Sequence, residues 1–276
     1  LYFVVTCLIE KGELEAAKRH ASEMMSPAEQ LRDRFWLEGA LWKNAMTLRL
    51  GGEWEMARSF SQRTLEIGSR PFHAWVELAL IEHEIGVHHQ GNFHLDLLSK
   101  AAGEAGESAF MNTSVSGRMA MTAPLVARIT GVVDHLESAK SAAERVLGYA
   151  QATPLAIGYS NASLAMIAVL SGDAGLAEKQ YAVIKQWRHT FSLFVISGDR
   201  LLGLLAQTMG KLDQAIVHFD DALTFCRNGG YRPELAWACC DNADCLIQRS
   251  RSVRGEPVEP PASDVLRQAQ DDRSRA

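Results

Sequence analysis

Leu202-Gly-Leu-Leu-Ala-Gln-Thr-Met-Gly210-Lys-Leu-Asp-Gln-Ala215-Ile-Val-His-Phe219-Asp-Asp-Ala222 carries a pattern with fixed offsets. A small apolar pair, Leu202-Gly203, is followed by Gly210, then Ala215, then Phe219 and Ala222. The same offsets return at Leu164-Ala165, Gly172, Ala177, Tyr181 and Ile184, and at Asn44-Ala45, Gly52, Ala57 and Leu65. Weaker copies are Val4-Val5, Gly12 and Ala17, and Trp75, Leu78-Ala79, Gly86 and Leu95, with Gly91 where Ala is usual. The intervals from Gly12 to Gly52, from Gly52 to Gly86 and from Gly172 to Gly210 all fall at roughly 34–40 positions, the range of a helical-hairpin repeat.

Each position has a physical reason. The glycine, numbered 15 in the unit, accepts the left-handed conformation that ends a first helix. Asp173 or Asp213 just after it places negative charge at the start of a second helix. Small residues at position 8 of the first helix and 20 of the second let the two pack closely, and Phe219 or Tyr181 fills the space between hairpins. A unit of about 34 to 40 residues built this way resembles the tetratricopeptide repeat. One hairpin cannot bury its apolar face alone, so the units must stack.

The reading predicts an all-α, right-handed solenoid of antiparallel hairpins over residues 1–249. It has six hairpins, the fourth irregular, and a final helix. Ala102 to Gly117, rich in Gly, Ser and Asn, reads as a loop. A degenerate unit spans Arg118 to Tyr149, with Pro124 in or just before its first helix. Its second helix runs from His135 to Ala150 and turns Ala139, Ala143 and Val146 to one face. Pro233 opens the last helix, Glu234 to Gln248, with Leu235, Trp237, Cys240, Ala243 and Leu246 as its buried side. Residues 250–276 read as a disordered tail: from Arg251 on there are no aromatics, three Pro, five Arg and five acidic residues. The tail also looks like a translated interspersed DNA repeat.

The chain has 276 residues, 47% hydrophobic and 22% charged. That is enough apolar material for a continuous core. A net charge of -5 leaves no basic footprint for nucleic acid. The five cysteines form no Cys-x-x-Cys pair, which fits a reduced, cytoplasmic protein, and Cys239, Cys240 and Cys245 read as packing residues rather than metal ligands. Leu1 to Ile9 is apolar but too short to span a bilayer and lacks a signal-peptide layout. The initial Leu suggests a fragment whose start lies upstream.

Three stretches extend the resemblance: Arg128 to Glu137, Asp199 to Asp213, and Gly230 to Trp237. They resemble the tetratricopeptide region of multidomain bacterial regulators, the LuxR-type, MalT-like ATPase regulators and cyclase-associated ATPases. The resemblance implies a nucleotide-binding ATPase, in some members with a cyclase, before the repeats and often a DNA-binding helix-turn-helix after them. The chain carries no G-x-x-x-x-G-K-[ST] loop and no such helix pair after Gln248. The reading is therefore a protein-interaction or effector-sensing scaffold from a signalling or transcription regulator. Its alternatives are part of a cyclase or ATPase signalling protein whose catalytic domain lies elsewhere, and a truncated product without function.

No catalytic, cofactor or metal site is expected. His83-Glu84-Ile-Gly-Val-His88 resembles H-E-x-x-H, but its second His comes one residue late. Positions i and i+5 lie about 140° apart on a helix, so the two rings diverge. Ser114 to Ser116 lacks the context of a nucleophile elbow. The candidate surface is the concave groove lined by first helices at unit positions 2, 5, 9 and 12. That register selects Trp42, Met46, Arg49, His73, His83, Tyr159, Met166, Arg200, Leu204 and Gln207. The expected partner is a protein, peptide or small effector in this groove, with no nucleic acid or membrane contact. Uncovered end repeats predict self-association.

Overall fold

The computed structural model describes residues 1–68, 70–104, 109–192 and 195–254, with backbone alone at 109–113 and 192. Six antiparallel hairpins follow one another: α1 (Tyr2–Glu10) with α2 (Leu14–Glu23), α4 (Arg34–Gly51) with α5 (Trp54–Ile67), α6 (Phe72–Glu84) with α7 (His88–Glu104), α8 (Ala109–Thr130) with α9 (Leu136–Gly148), α10 (Pro154–Ser171) with α11 (Ala174–Ile184), and α12 (Gly198–Thr208) with α13 (Leu212–Gly229). A short α3 (Met25–Leu31) links the first two, and α14 (Arg232–Val253) ends the described chain. Between α11 and α12 lie a 3-10 turn, Lys185–Trp187, and an antiparallel ladder of β1 (Phe191–Ser192) and β2 (Ile196–Ser197), pairing Phe191 with Ser197. The fold is a tetratricopeptide-like helical solenoid.

The six turn glycines, Gly12, Gly52, Gly86, Gly131, Gly172 and Gly210, all have φ between +64° and +84°. Only glycine takes this conformation without a Cβ penalty, so the turn positions follow directly from sequence. Asp173 caps α11 through the Leu176 N–H at 2.9 Å, and Asp213 lies in the first turn of α13. Gly203 of α12 faces Phe219 of α13 so closely that a Cβ would sit 2.6 Å from the ring. Gly91 departs from Ala because the His83 ring fills the space: a Cβ there would meet it at 2.2 Å.

Two layers result. Second helices such as α2, α5 and α9 bury one stripe and wet the other. The inner first helices are enclosed nearly all round, α10 between α8, α9, α11 and α12, whereas α1 buries only Val5 and Ile9. Pro154–Ser171 is long and apolar enough by composition to cross a membrane, but it is mostly buried inside this inner layer.

Three expectations are corrected. Most of Ala102 to Gly117 is helical, because α7 runs to Glu104 and α8 starts at Ala109; 105–108 lie outside the described residues. Ser116 is buried, and a Cβ on Gly117 would sit 3.4 Å from the Ala156 Cα, so small residues here bring α8 against α10. On α14 the buried stripe is Glu234, Ala238, Asp241 and Cys245, while Cys240 and Leu246 are exposed. Apolar counting fails there because the inward face carries carboxylates that meet arginines. Finally, α14 continues to Val253, past Gln248; the tail expected beyond it, 255–276, lies outside the described residues.

The chain just after α13 reaches back to the first two hairpins. Tyr231 Oη donates to the Ile9 carbonyl at 2.5 Å, and Arg232 Nε donates to the Gly51 carbonyl at 2.6 Å. Phe191, Cys226 and Tyr231 join Val5, Ile9, Leu14, Trp42 and Met46 in one core cluster. Part of the apolar end surface expected to be open is thereby covered, while Phe3, Ile247 and Val253 remain exposed.

Candidate functional site

The solenoid's interior is lined by the first helices and is strongly polar. Trp42 stacks on His73 with ring centres 4.1 Å apart, and its Nε1–H donates to Glu77 Oε1 at 3.1 Å. Arg49 Nε donates to the other Glu77 oxygen at 2.5 Å. Arg118 donates to His73 Nε2 at 3.0 Å, which leaves the proton on Nδ1, 3.2 Å from Glu38 Oε1. The His73 ring is neutral: burial, then Arg118, Arg70 and Lys43, hold its pKa well below the ordinary value. Burial, with Arg118 beside it, likewise pulls the Lys43 ammonium down to about 7. Arg118 also lies over Trp42, Phe72 and Tyr159 at 5.3 to 5.9 Å. Burial raises the Tyr159 phenol.

Beside this cluster opens a recess of about 560 Å3, counting the solvent at its mouth. Its walls come from α4 and α5 (Arg49, Leu50, Trp54), α6 (Leu80, Glu84), α8 (Leu125, Arg128, Ile129) and α12 (Arg200). The β1–β2 segment adds Phe191 and Val195, and the start of α14 adds Pro233, Glu234 and Trp237. Ion pairs hold α14 here. Arg200 donates to Glu234 Oε2 at 2.8 Å and to Asp241 Oδ2 at 2.7 Å, and Arg128 pairs with the other Asp241 oxygen. Burial works against the Asp241 carboxylate, but Arg200 and Arg128 outweigh it and hold the pKa below its ordinary value. Trp237 Nε1–H donates to Glu84 Oε1 at 2.9 Å. Burial raises the Glu84 carboxyl despite that bond and the nearby Arg49 and Arg200 charges.

The structure brings Trp42, Arg49, His73 and Tyr159 into one cluster around Glu77 and Arg118. Arg200 stands on the recess wall, and Met46 lies against the cluster. Gln207 lies one helical stretch further on and donates to Gln248 of α14 at 3.1 Å. His83 is not in the groove. Its Nδ1 lies 2.7 Å from the Ala79 carbonyl and its Nε2 3.0 Å from Asn92 of α7, so it packs inside its own hairpin. Met166 is buried in the core. The groove expected to be open is largely filled by these side chains and closed by α14.

Arg118, Met121, Leu125 and Arg128 were within reach of the sequence. With Gly131 as position 15, they occupy positions 2, 5, 9 and 12 of the fourth unit, and all four line the interior. The unit's weak second helix pattern hid them. Glu234 and Asp241 carried no such signal, because the repeat register was not extended past the sixth unit.

His189, Asp199 and Asp221 bring potential ligand atoms within 4.8 Å of one another. Arg188 already occupies that charge: its guanidinium lies 2.6 Å from Asp221 Oδ2 and 3.5 Å from Asp199 Oδ1. The His189 backbone N–H donates to Asp199 Oδ2 at 2.7 Å. Cys239 and Cys240 are exposed while Cys245 is buried, so the three share no face.

Fold and interior together define a tetratricopeptide-like repeat protein with a partly open interior recess. No family model and no curated protein matches the chain. Among solved structures, the apo form of the quorum sensor NprR from B. thuringiensis is similar, at 14% identity and a TM-score of 0.45, over 86% of this chain and 67% of that one.

Proposed function

We propose that this chain is a sensing module that binds a peptide, a segment of a partner protein or a small effector in its interior recess, and that it is a binder rather than a catalyst. The observation that carries this reading is the recess itself. It combines apolar walls with a few convergent charged groups, the lining a ligand site needs. It is closed by α14 through Arg128 and Arg200. Trp237 and Glu234 of that helix form part of the recess wall, so occupancy would be felt by α14 and by whatever that helix adjoins. The likeness of Arg128 to Glu137, Asp199 to Asp213 and Gly230 to Trp237 to the repeat region of LuxR-type, MalT-like regulators supports a place in a bacterial signalling protein, in the cytoplasm.

The test is affinity selection with mass-spectrometric readout, using a mixed pool of random peptides and metabolites against the full chain and Val195→Trp. The indole introduced at 195, on the recess wall, fills part of the recess, and circular dichroism verifies that the variant folds. Species retained by the natural chain and lost with Val195→Trp are expected. An identical retained set for both proteins, or an empty one for both, overturns the reading.

A further inference from the structure

The charges around the recess do not cancel evenly. Arg49 is engaged by Glu77, Arg128 by Asp241, and Arg200 by Glu234 and Asp241. Glu84 is the carboxylate on the wall that forms no ion pair among the described residues; its one hydrogen bond comes from the Trp237 indole. That contact uses Oε1 and leaves Oε2 for a further donor. Around it stand Trp54, Trp237 and Phe191, with Leu80, Leu125 and Ile129 behind. Indole faces attract cations as well as apolar groups, as Trp237 already does with the Arg200 guanidinium 5.6 Å from its ring centre, which leaves Trp54 as the second indole on the wall. A carboxylate in an aromatic, partly desolvated wall is half of a charge-assisted hydrogen bond whose other half is missing.

We infer that the recess is a site for a ligand bearing a primary ammonium group on an apolar or aromatic body, with the ammonium on Glu84 and the body against Trp54, Trp237 and Phe191. This deepens the proposed function and rests on it. An anionic ligand fits poorly: the three arginines that would receive it are each held by a buried carboxylate, and Glu84 would repel it. The ammonium can belong to a free amine or to the first residue of a peptide.

Three aromatic probes of one size separate the possibilities: phenethylammonium, 2-phenylethanol and 3-phenylpropionate, each titrated into the full chain by calorimetry and saturation-transfer NMR. Phenethylammonium is expected to bind about tenfold or more tighter than either of the others. Glu84→Gln, which keeps the acceptor for Trp237, is expected to remove that preference while 2-phenylethanol binds unchanged. Phe-Gly-Gly amide with a free N-terminus, compared with its N-acetyl form, assigns the source. Stronger binding of the free form points to a peptide start, and no binding of either to a free amine. If 3-phenylpropionate binds as well as the amine, or Glu84→Gln keeps the preference, the ammonium site is overturned while the recess remains a ligand site. If none of the three probes binds, the ammonium site also falls, and the Val195→Trp selection decides the recess reading separately.

Discussion

Replacing Arg200 by Met tests whether ion pairs hold α14 in place. The Arg200 side chain is 4% exposed, and its guanidinium reaches Asp241 at 2.7 Å and Glu234 at 2.8 Å. Methionine retains much of the stem's volume and removes both bonds. Asp241 keeps Arg128, and Glu234 keeps the Ser197 N–H at 2.7 Å, so neither carboxylate is stripped bare. Breaking a buried pair costs about 3–5 kcal/mol, and the remaining partners place this case near the lower end, about 3–4 kcal/mol. At roughly 2–4 °C per kcal/mol for a chain of this size, melting falls by about 6–16 °C. The pH dependence has a definite sign. The folded pKa of Asp241 is depressed, so its contribution is present above the unfolded carboxylate value and is lost as pH falls through the folded one. The gap between natural chain and variant therefore narrows below about pH 4. Circular dichroism melts in the helical band, at neutral pH and about pH 3, read both effects. Adding Glu234→Gln to Arg200→Met should recover part of the loss at neutral pH. A variant melting within about 2 °C of the natural chain at neutral pH, or a gap unchanged in acid, would refute the reasoning.

Three further outcomes are expected. Gly91→Ala forces a Cβ into the His83 ring and should destabilise by about 1–3 kcal/mol in urea titrations, whereas the same change made on a His83→Ala background should cost little. Tyr231→Phe removes the bond to the Ile9 carbonyl and should cost about 1 kcal/mol; hydrogen exchange in α1 should accelerate more than in α10. Lys43 is held at about 7, below its unfolded value, so its burial penalty is largest at low pH and is relieved as pH rises above 7. Lys43→Met should therefore stabilise relative to the natural chain at about pH 6, with the advantage shrinking by about pH 9; an advantage independent of pH would exclude the buried-ammonium account.

The hairpin architecture was legible in the sequence because its determinants are local. A glycine at Gly52, Gly172 or Gly210 takes the left-handed region at no Cβ cost and so can end a helix there, and small residues such as Gly203 report a close helix crossing. The same register found Trp42, Arg49, His73, Tyr159 and Arg200, and extended to Gly131 it reaches Arg118 and Arg128. The loop reading of Ala102 to Gly117 failed for the converse reason. Smallness at Ser116 and Gly117 signals a loop or a tight interface equally well, and only α10 on the other side decides between them.

What the tertiary structure alone decided is how the two ends of the solenoid meet. Curvature accumulates over six hairpins, and no local pattern specifies that Tyr231 will reach Ile9 or that Trp237 will reach Glu84. That closure reversed the expected burial on α14, where carboxylates rather than Leu246 turn inward because the face opposite them is lined with arginine. It also filled most of the expected groove and left a recess beside α14. Helix boundaries follow from the energetics of a few neighbouring residues. The chemistry of this interior depends instead on partners far apart in the chain, such as Arg128 with Asp241, and those pairs exist only once the chain has folded.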